Sequence, residues 1–229
     1  AAVNRPKDPS DFINNNVSLT QSLCSYLSNL ADKKNKKVAI VFTSSTQVHL
    51  DNAYGSSKLR AELSIRELTS RYQVPSFIFR LPNVFGKCSR PNYNSVVTTF
   101  CHNIAHDLPI EVHDPSRSLN LVYVDDVIDK FIELIDSIDH LSKEVAFLQV
   151  TPLYIRTLGE IASHITSFKD SRTSLITDRV GIGFERALYS TYLSYLPSSS
   201  FSYKVPSYSD SRGIFVEMLK TPACGQFSF

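Results

Sequence analysis

The 229 residues contain no apolar run of about 18 and do not open on a Lys/Arg-flanked apolar segment, so neither a membrane span nor a secretory signal is expected. An excess of charge is missing as well: 24 basic against 22 acidic side chains leave +2. The dense basic cluster Lys33, Lys34, Lys36 and Lys37 stands just before an apolar run, where a turn is expected, so no nucleic-acid partner is anticipated. The four cysteines, Cys24, Cys88, Cys101 and Cys224, form no C-x-x-C pair. That spacing speaks against a zinc cage or a small disulfide scaffold and fits free thiols in a reducing cytoplasm. Internal repeats are absent, and the Ser198–Ser200 run is the longest low-complexity stretch.

What remains is a composition with 42% hydrophobic and 20% charged residues, enough for one domain with a real core and part of a second. The chain opens at Ala1-Ala2-Val3-Asn4-Arg5-Pro6 without an initiator Met or an element start, so the natural protein is expected to begin earlier. From Asn16 to Leu30, apolar residues at Leu19, Leu23, Tyr26, Leu27 and Leu30 predict an amphipathic helix with Ser and Asn on its wet face. Val38–Phe42 reads as a buried parallel strand ending in Thr43-Ser44-Ser45. A helix over Tyr54–Tyr72 and a strand over Ser76–Leu81 follow. The alternation continues with a helix at Ser95–His106, an extended stretch at Leu119–Val124, and a helix capped by Asp125-Asp126 that runs to about Ile138. A strand at Ala146–Val150 and helices at Thr157–Phe168 and Phe184–Leu196 come next. Pro197–Ser200 reads as a linker or loop, and short strands are expected at Gly213–Leu219 and Gln226–Phe229.

The sharpest local signal is Tyr54-Gly55-Ser56-Ser57-Lys58, with Ser45 nine residues earlier at the end of a buried strand. Tyr54 and Lys58 share a helix face, where an ammonium can favour the phenolate of a group that ordinarily titrates near 10. The tyrosine then serves as a proton donor and acceptor, while the Ser45 hydroxyl fixes the same substrate oxygen: the arrangement of ketone/alcohol oxidoreduction. With 11 tyrosines in the chain, a lone Tyr-x-x-x-Lys pair is weak. Its setting strengthens it, because the pair lies between a buried strand and a second strand that ends Arg80-Leu81-Pro82-Asn83-Val84-Phe85-Gly86.

On these residues the chain resembles the extended short-chain dehydrogenase/reductase family of nucleotide-sugar epimerases, dehydratases and reductases. Three strings, Ala2-Val3-Asn4-Arg5-Pro6, Pro91-Asn92-Tyr93-Asn94-Ser95-Val96 and Leu188 to Pro197, resemble its bifunctional capsular-polysaccharide branch. Asp210 to Phe229 is similar to the beginning of that branch's C-terminal cupin. The resemblance implies an α/β fold: part of a Rossmann-like parallel sheet with helices on both faces, a small substrate subdomain, and the first strands of a cupin. Residues 1–205 would form the first domain, with 206–229 as linker and cupin start.

The resemblance also implies Ser45, Tyr54 and Lys58 as the catalytic set, with Ala1, Ala2, Asn4, Tyr54, Lys58 and Pro82 along an NADPH cofactor. Asn83 would face the substrate diphosphate, with Asn92, Asn94 and Arg117 as further substrate contacts. Leu119 stands where many members carry a diphosphate-binding arginine. The Gly-rich turn that holds pyrophosphate is not among these residues and would precede Ala1, so isolated activity is not expected. The activity implied is reduction of the C4 keto group of a UDP-2-acetamido-2,6-dideoxy-hexos-4-ulose in capsule or O-antigen synthesis, in a cytoplasmic protein that is homodimeric at full length. A C4 epimerase or a non-catalytic dinucleotide-binding scaffold are the alternatives. A 4,6-dehydratase is disfavoured because Thr46-Gln47 stands in place of an Asp-Glu pair.

Four local patterns compete with this reading. His102 and His106 lie one helical turn apart, but without the glutamate of a zincin, so no metal is expected. Asp125-Asp126 reads as a helix cap. Arg80 fits an anion contact or a structural ion pair equally. Tyr189, Tyr192, Tyr195 and Tyr203 fit packing against the sheet better than base stacking.

Overall fold

A computed structural model describes the chain except residues 1–2, 4, 35–37, 138–143, 223–224 and 229. The described residues divide into two units, Ala1–Pro82 with Asp126–Pro152, and Asn83–Asp125 with Leu153–Phe229.

In the first unit, β1 (Ile40–Ser45), β2 (Ser76–Leu81) and β5 (Val145–Leu148) form a parallel sheet in the order β1-β2-β5, with Ile40 opposite Ser76 and Ser76 opposite Val145. Alternate strand residues point to opposite faces. Ile78 meets Ile65 and Leu68 of α2 (Ala53–Tyr72) and Cys24 and Leu27 of α1 (Leu19–Lys34), while Phe79 packs on Phe131 of α4 (Val124–Ser137) at 4.9 Å between ring centroids. Helices therefore cover both faces, as an α/β parallel sheet requires. The strand run begins two residues later than its sequence pattern predicts and extends through the Thr43-Ser44-Ser45 end.

The face of α1 differs from expectation. Val17, Thr20, Cys24 and Leu27 are buried, whereas Leu19, Leu23 and Tyr26 are 52%, 44% and 61% exposed. Helical backbone precedes α1 from Ser10, and Phe12–Ser18 runs as a π-helix. Each π turn holds an extra residue, which rotates the stripe and turns Asn16 inward.

In the second unit, β3 (Asn83–Phe85) pairs parallel to β4 (Ser118–Tyr123), and β6 (Tyr154–Thr157) pairs antiparallel on the other side of β4. The apolar sides of α3 (Val96–Ala105), α5 (Leu158–Ser174) and α6 (Gly183–Leu193) gather Phe85, Phe100, Tyr123, Ile165, Phe184 and Leu188 into one core. Tyr192 is fully buried there and Tyr189 stacks edge-on against Phe168 at 5.0 Å, so these tyrosines pack; Tyr203 remains half exposed. β7 (Ser207–Asp210), β8 (Gly213–Thr221) and β9 (Gly225–Ser228) form an antiparallel sheet, which Thr177 N–H to Lys220 O (2.9 Å) ties back to the unit. Strands β3, β6 and β7 are too short, at three or four residues, to show an alternating pattern.

Asp125 and Asp126 do not cap α4. The helix starts at Val124, which places both carboxylates inside its first turn, where the helix dipole favours them. Asp125 pairs with Lys87 at 3.2 Å. No helix among the described residues is long and apolar enough to cross a membrane.

Candidate active site

The site is built on the carboxyl end of β1 and the first turns of α2. Asn52 is extended and its side-chain oxygen accepts the Gly55 N–H at 2.7 Å, which caps α2. Between Ser45 and this cap, Thr46–His49 winds as a 3-10 turn, opened by the Gln47 N–H donating to Ser45 Oγ at 3.2 Å. That turn runs so close to α2 that a Cβ on Gly55 would lie 2.1 Å from the Gln47 carbonyl oxygen. The glycine after Tyr54 is therefore required by the close approach, which draws Ser45 and Tyr54 together.

Burial lifts the Tyr54 phenol above its usual value, and the neighbouring Ser45 hydroxyl opposes that shift. The expected lowering of this phenol by Lys58 is thus not what dominates. Lys58 instead donates to the Thr43 carbonyl at 2.6 Å and lies 4.4 Å over the Phe42 ring, with 3% of the residue exposed. Burial brings its ammonium down from 10.5 to about 8, with the Glu62 charge acting the other way. Lys58 keeps two further N–H donors beside the Tyr54 face of the helix. The group can bind an oxygen, hold it between two hydroxyls, and pass a proton.

Arg80 makes the ion pair. Its Nε and Nη2 donate to the two oxygens of Glu62 at 3.1 and 2.7 Å. Pro82 directly follows β2 in the same unit. Ala1, Ala2 and Asn4 lie outside the described residues.

Asn83, Asn92, Asn94 and Arg117 belong to the second unit, and all four are exposed. Asn83 Nδ2 donates to Asn120 O at 3.2 Å. Asn92 is left-handed (φ 56°) with its N–H on Thr99 Oγ1 at 3.0 Å; Asn94 precedes Ser95, the cap of α3. The Arg117 N–H donates to Asp114 O at 3.2 Å, and Leu119 packs partly against the core. The rings of His102 and His106 stack at 4.3 Å, and among the described residues no group of three or more His, Cys, Asp or Glu could hold a metal ion.

The sequence reading missed Asn16. It is 3% exposed, exchanges two hydrogen bonds with the Val3 main chain (2.8 and 2.9 Å), and donates to Ser57 Oγ at 3.0 Å; Ser57 in turn donates to Tyr54 O at 2.7 Å. Asn16 thus links Val3 to the first turns of α2. The available signal was three consecutive asparagines, poor helix formers, opening a helix.

Comparison with known proteins agrees with this architecture. The profile of the NAD dependent epimerase/dehydratase family matches residues 3–147. Over all 229 residues the chain is 51% identical to the UDP-2-acetamido-2,6-beta-L-arabino-hexul-4-ose reductase of Pseudomonas aeruginosa, covering 60% of that protein. It superimposes on the crystal structure of the capsular polysaccharide assembling protein CapF from Staphylococcus aureus with a TM-score of 0.86 and 41% identity, over 100% of this chain and 60% of that one. The UDP-glucose 4-epimerase of Thermus thermophilus, solved with NAD, shares the fold at a TM-score of 0.66 and 16% identity, over 85% and 75% of the two chains. The chain therefore spans about 60% of the length of the first two relatives. The profile match covers most of the chain and includes β1, α2 and β2, which carry the Ser45, Tyr54 and Lys58 cluster, so the chain belongs to the NAD dependent epimerase/dehydratase family.

Proposed function

We propose that this chain carries the reductase chemistry of a nicotinamide-dependent enzyme that converts the C4 ketone of a UDP-2-acetamido-2,6-dideoxy-hexos-4-ulose to an alcohol. The observation that carries this reading is the Ser45 hydroxyl acting on the Tyr54 phenol, one helical turn from buried Lys58. The 51% identity to a protein named for this reaction supports the sugar. Among the cofactor-facing residues, the remaining donors of Lys58 fit a ribose hydroxyl, and Tyr54, Lys58 and Pro82 would hold the nicotinamide end. Ala1, Ala2 and Asn4 would lie along the same cofactor. A reduced dinucleotide, NADPH in this proposal, supplies the hydride when bound.

The chain's own residues do the proton work. Ser45 donates to the C4 oxygen as negative charge develops there, and Tyr54 gives that oxygen its phenolic proton. The Lys58 ammonium then stabilises the phenolate left behind. Ketone, NADPH and one proton become alcohol and NADP, so one cofactor is consumed per turnover. Asn83, Asn92, Asn94 and Arg117 are proposed contacts of the nucleotide sugar. Residues 206–229 are proposed as the start of a further, cupin-like domain, and the full protein as a cytoplasmic homodimer.

The test is NADPH oxidation by the full protein with the UDP-4-keto-6-deoxy-HexNAc substrate, for wild type and Tyr54→Phe. Stoichiometric oxidation, reduced at least a hundredfold by the substitution, is expected. Turnover without net oxidation would move the reading to C4 epimerisation.

A further inference from the structure

Between β3 and α3, residues 86–95 make turns and no regular element. Two of them, Cys88 (φ 65°) and Asn92 (φ 56°), are left-handed although neither is glycine. Such a backbone keeps its course only where its surroundings hold it. At its start the loop has the Lys87–Asp125 pair at 3.2 Å, a part-exposed ion pair that contributes little. At its end the Asn92 N–H sits on Thr99 Oγ1 of α3, its immediate neighbour in sequence. The middle is held from a distant element. The Tyr195 hydroxyl donates to Ser89 O at 2.7 Å, across 106 positions of the chain. Tyr195 stands just past the end of α6, where its N–H closes on Tyr192 O at 3.0 Å and its ring packs against the core, edge-on to His102 at 6.3 Å between centroids. Tyr192 is fully buried, so the phenol is a fixed post and the loop is the pliable partner. Burial raises the Tyr195 phenol above its usual value, which keeps it protonated and able to donate at neutral pH. The neighbouring Thr98 hydroxyl of α3 is fully buried and has no hydrogen-bond partner among the described residues, so the bond of the phenol goes to the loop.

We propose that Tyr195 is a positioning residue for substrate binding: its hydroxyl, seated on Ser89 O, sets the course of residues 86–95 and with it the Asn92 and Asn94 carboxamides that meet the nucleotide sugar. The proposal rests on the reading of Asn92 and Asn94 given above. Both side chains face solvent, and neither carboxamide bonds to another described residue. Each therefore keeps its donors and its acceptor for the hydroxyl and phosphate oxygens of a ligand. How tightly they hold one depends on how much of the loop must be ordered at the moment of binding. With the Ser89 bond in place that ordering is done beforehand; without it, the cost falls on the substrate complex. The chemical step belongs to Ser45, Tyr54 and Lys58, so loss of the bond weakens binding and spares the rate of the bound complex.

In the full protein, NADPH-dependent reduction is measured with the UDP-4-keto sugar varied and then with NADPH varied. The forms compared are wild type, Tyr195→Phe, Thr98→Val, the pair Asn92→Ala with Asn94→Ala, and that pair with Tyr195→Phe added, with the melting temperature of each. Tyr195→Phe keeps the ring and removes one hydrogen bond. It is expected to raise KM for the sugar about three- to tenfold, while kcat and KM for NADPH stay within about twofold of wild type. Thr98→Val is expected to leave all of these constants in place. Where both carboxamides are already gone, adding Tyr195→Phe is expected to change KM by less than about twofold, since the loop then has nothing to present. A merely structural bond would lower the melting temperature and either leave KM for the sugar unchanged or move kcat and both KM values together, and each of these outcomes overturns the proposal. An equal rise in KM from Thr98→Val overturns it too, because the phenol would then act through α3. If the paired asparagine variant keeps the wild-type KM, the reading of Asn92 and Asn94 itself falls; if it raises KM and Tyr195→Phe does not, the role of Tyr195 alone falls.

Discussion

Lys58 places a charge where water barely reaches, and the cost of doing so is measurable. Its ammonium titrates at about 8 in the folded chain against 10.5 for a lysine in open solvent. Below pH 8 both states carry the proton, and the full penalty, about 3 kcal/mol, opposes folding. Between pH 8 and 10.5 the unfolded chain holds more protons than the folded one, so stability rises with pH and the penalty fades. Lys58→Met is therefore expected to be more stable than wild type by up to about 3 kcal/mol at pH 7 in urea unfolding, with the gap closing by pH 10.5. Equal stability at pH 7 would show that the buried ammonium costs nothing. Gly55 is a second residue with a sharp requirement. Gly55→Ala drives a methyl into the Gln47 carbonyl and is expected to cost about 1–3 kcal/mol, and to weaken the Ser45–Tyr54 contact. Thermal melting and NADPH turnover of that variant check both effects.

At the scale of single elements, α2 is the part most legible in sequence. Tyr54 to Tyr72 was readable from its periodicity and Pro75, and the helix ends as that spacing implies: Gln73 adopts the left-handed conformation and its N–H closes on Thr69 O at 2.8 Å. Asn52 caps this helix, and Asn52→Ala is expected to cost about 1 kcal/mol in denaturant unfolding. The segment before α1 was not legible, because a π turn leaves no period of its own in a seven-residue stretch. Its consequence is testable: Asn16→Ala removes three hydrogen bonds, and the Val3 amide is expected to exchange with solvent much faster than in wild type, with a stability loss of about 1–3 kcal/mol. Strands such as β3 and β6 were hidden for another reason. Their pairing partner β4 lies tens of residues away in sequence, and long-range pairing leaves no local signature. The same holds for the Glu62–Arg80 pair, separated by 18 positions.

For the whole molecule, the rotated face of α1 leaves an apolar surface. Leu19, Leu23 and Tyr26 follow one stripe of α1, and Leu59 and Leu63, 37% and 50% exposed, lie one turn apart on neighbouring α2. A second copy of the chain would bury such a surface, in keeping with the homodimer proposed above. The full protein is expected to run at twice its chain mass in light scattering, and Leu23→Glu combined with Leu63→Glu to halve that mass; a wild-type monomer would remove the idea. The fold class was legible from the alternation of strands and helices, whereas the bounds of the two units were not, since each is assembled from separate stretches of chain.

That interleaving bears on how the protein is made. The parallel sheet needs β5, yet β5 follows β2 only after the whole first segment of the other unit has been synthesised. At ribosomal speeds the roughly 65 intervening residues take about 3 to 13 s to appear. During that interval β2, whose first four residues are buried in the finished fold, has β1 on one side and waits for its second neighbour. A nascent chain stalled between Leu81 and Val145 would then be the form most in need of a chaperone.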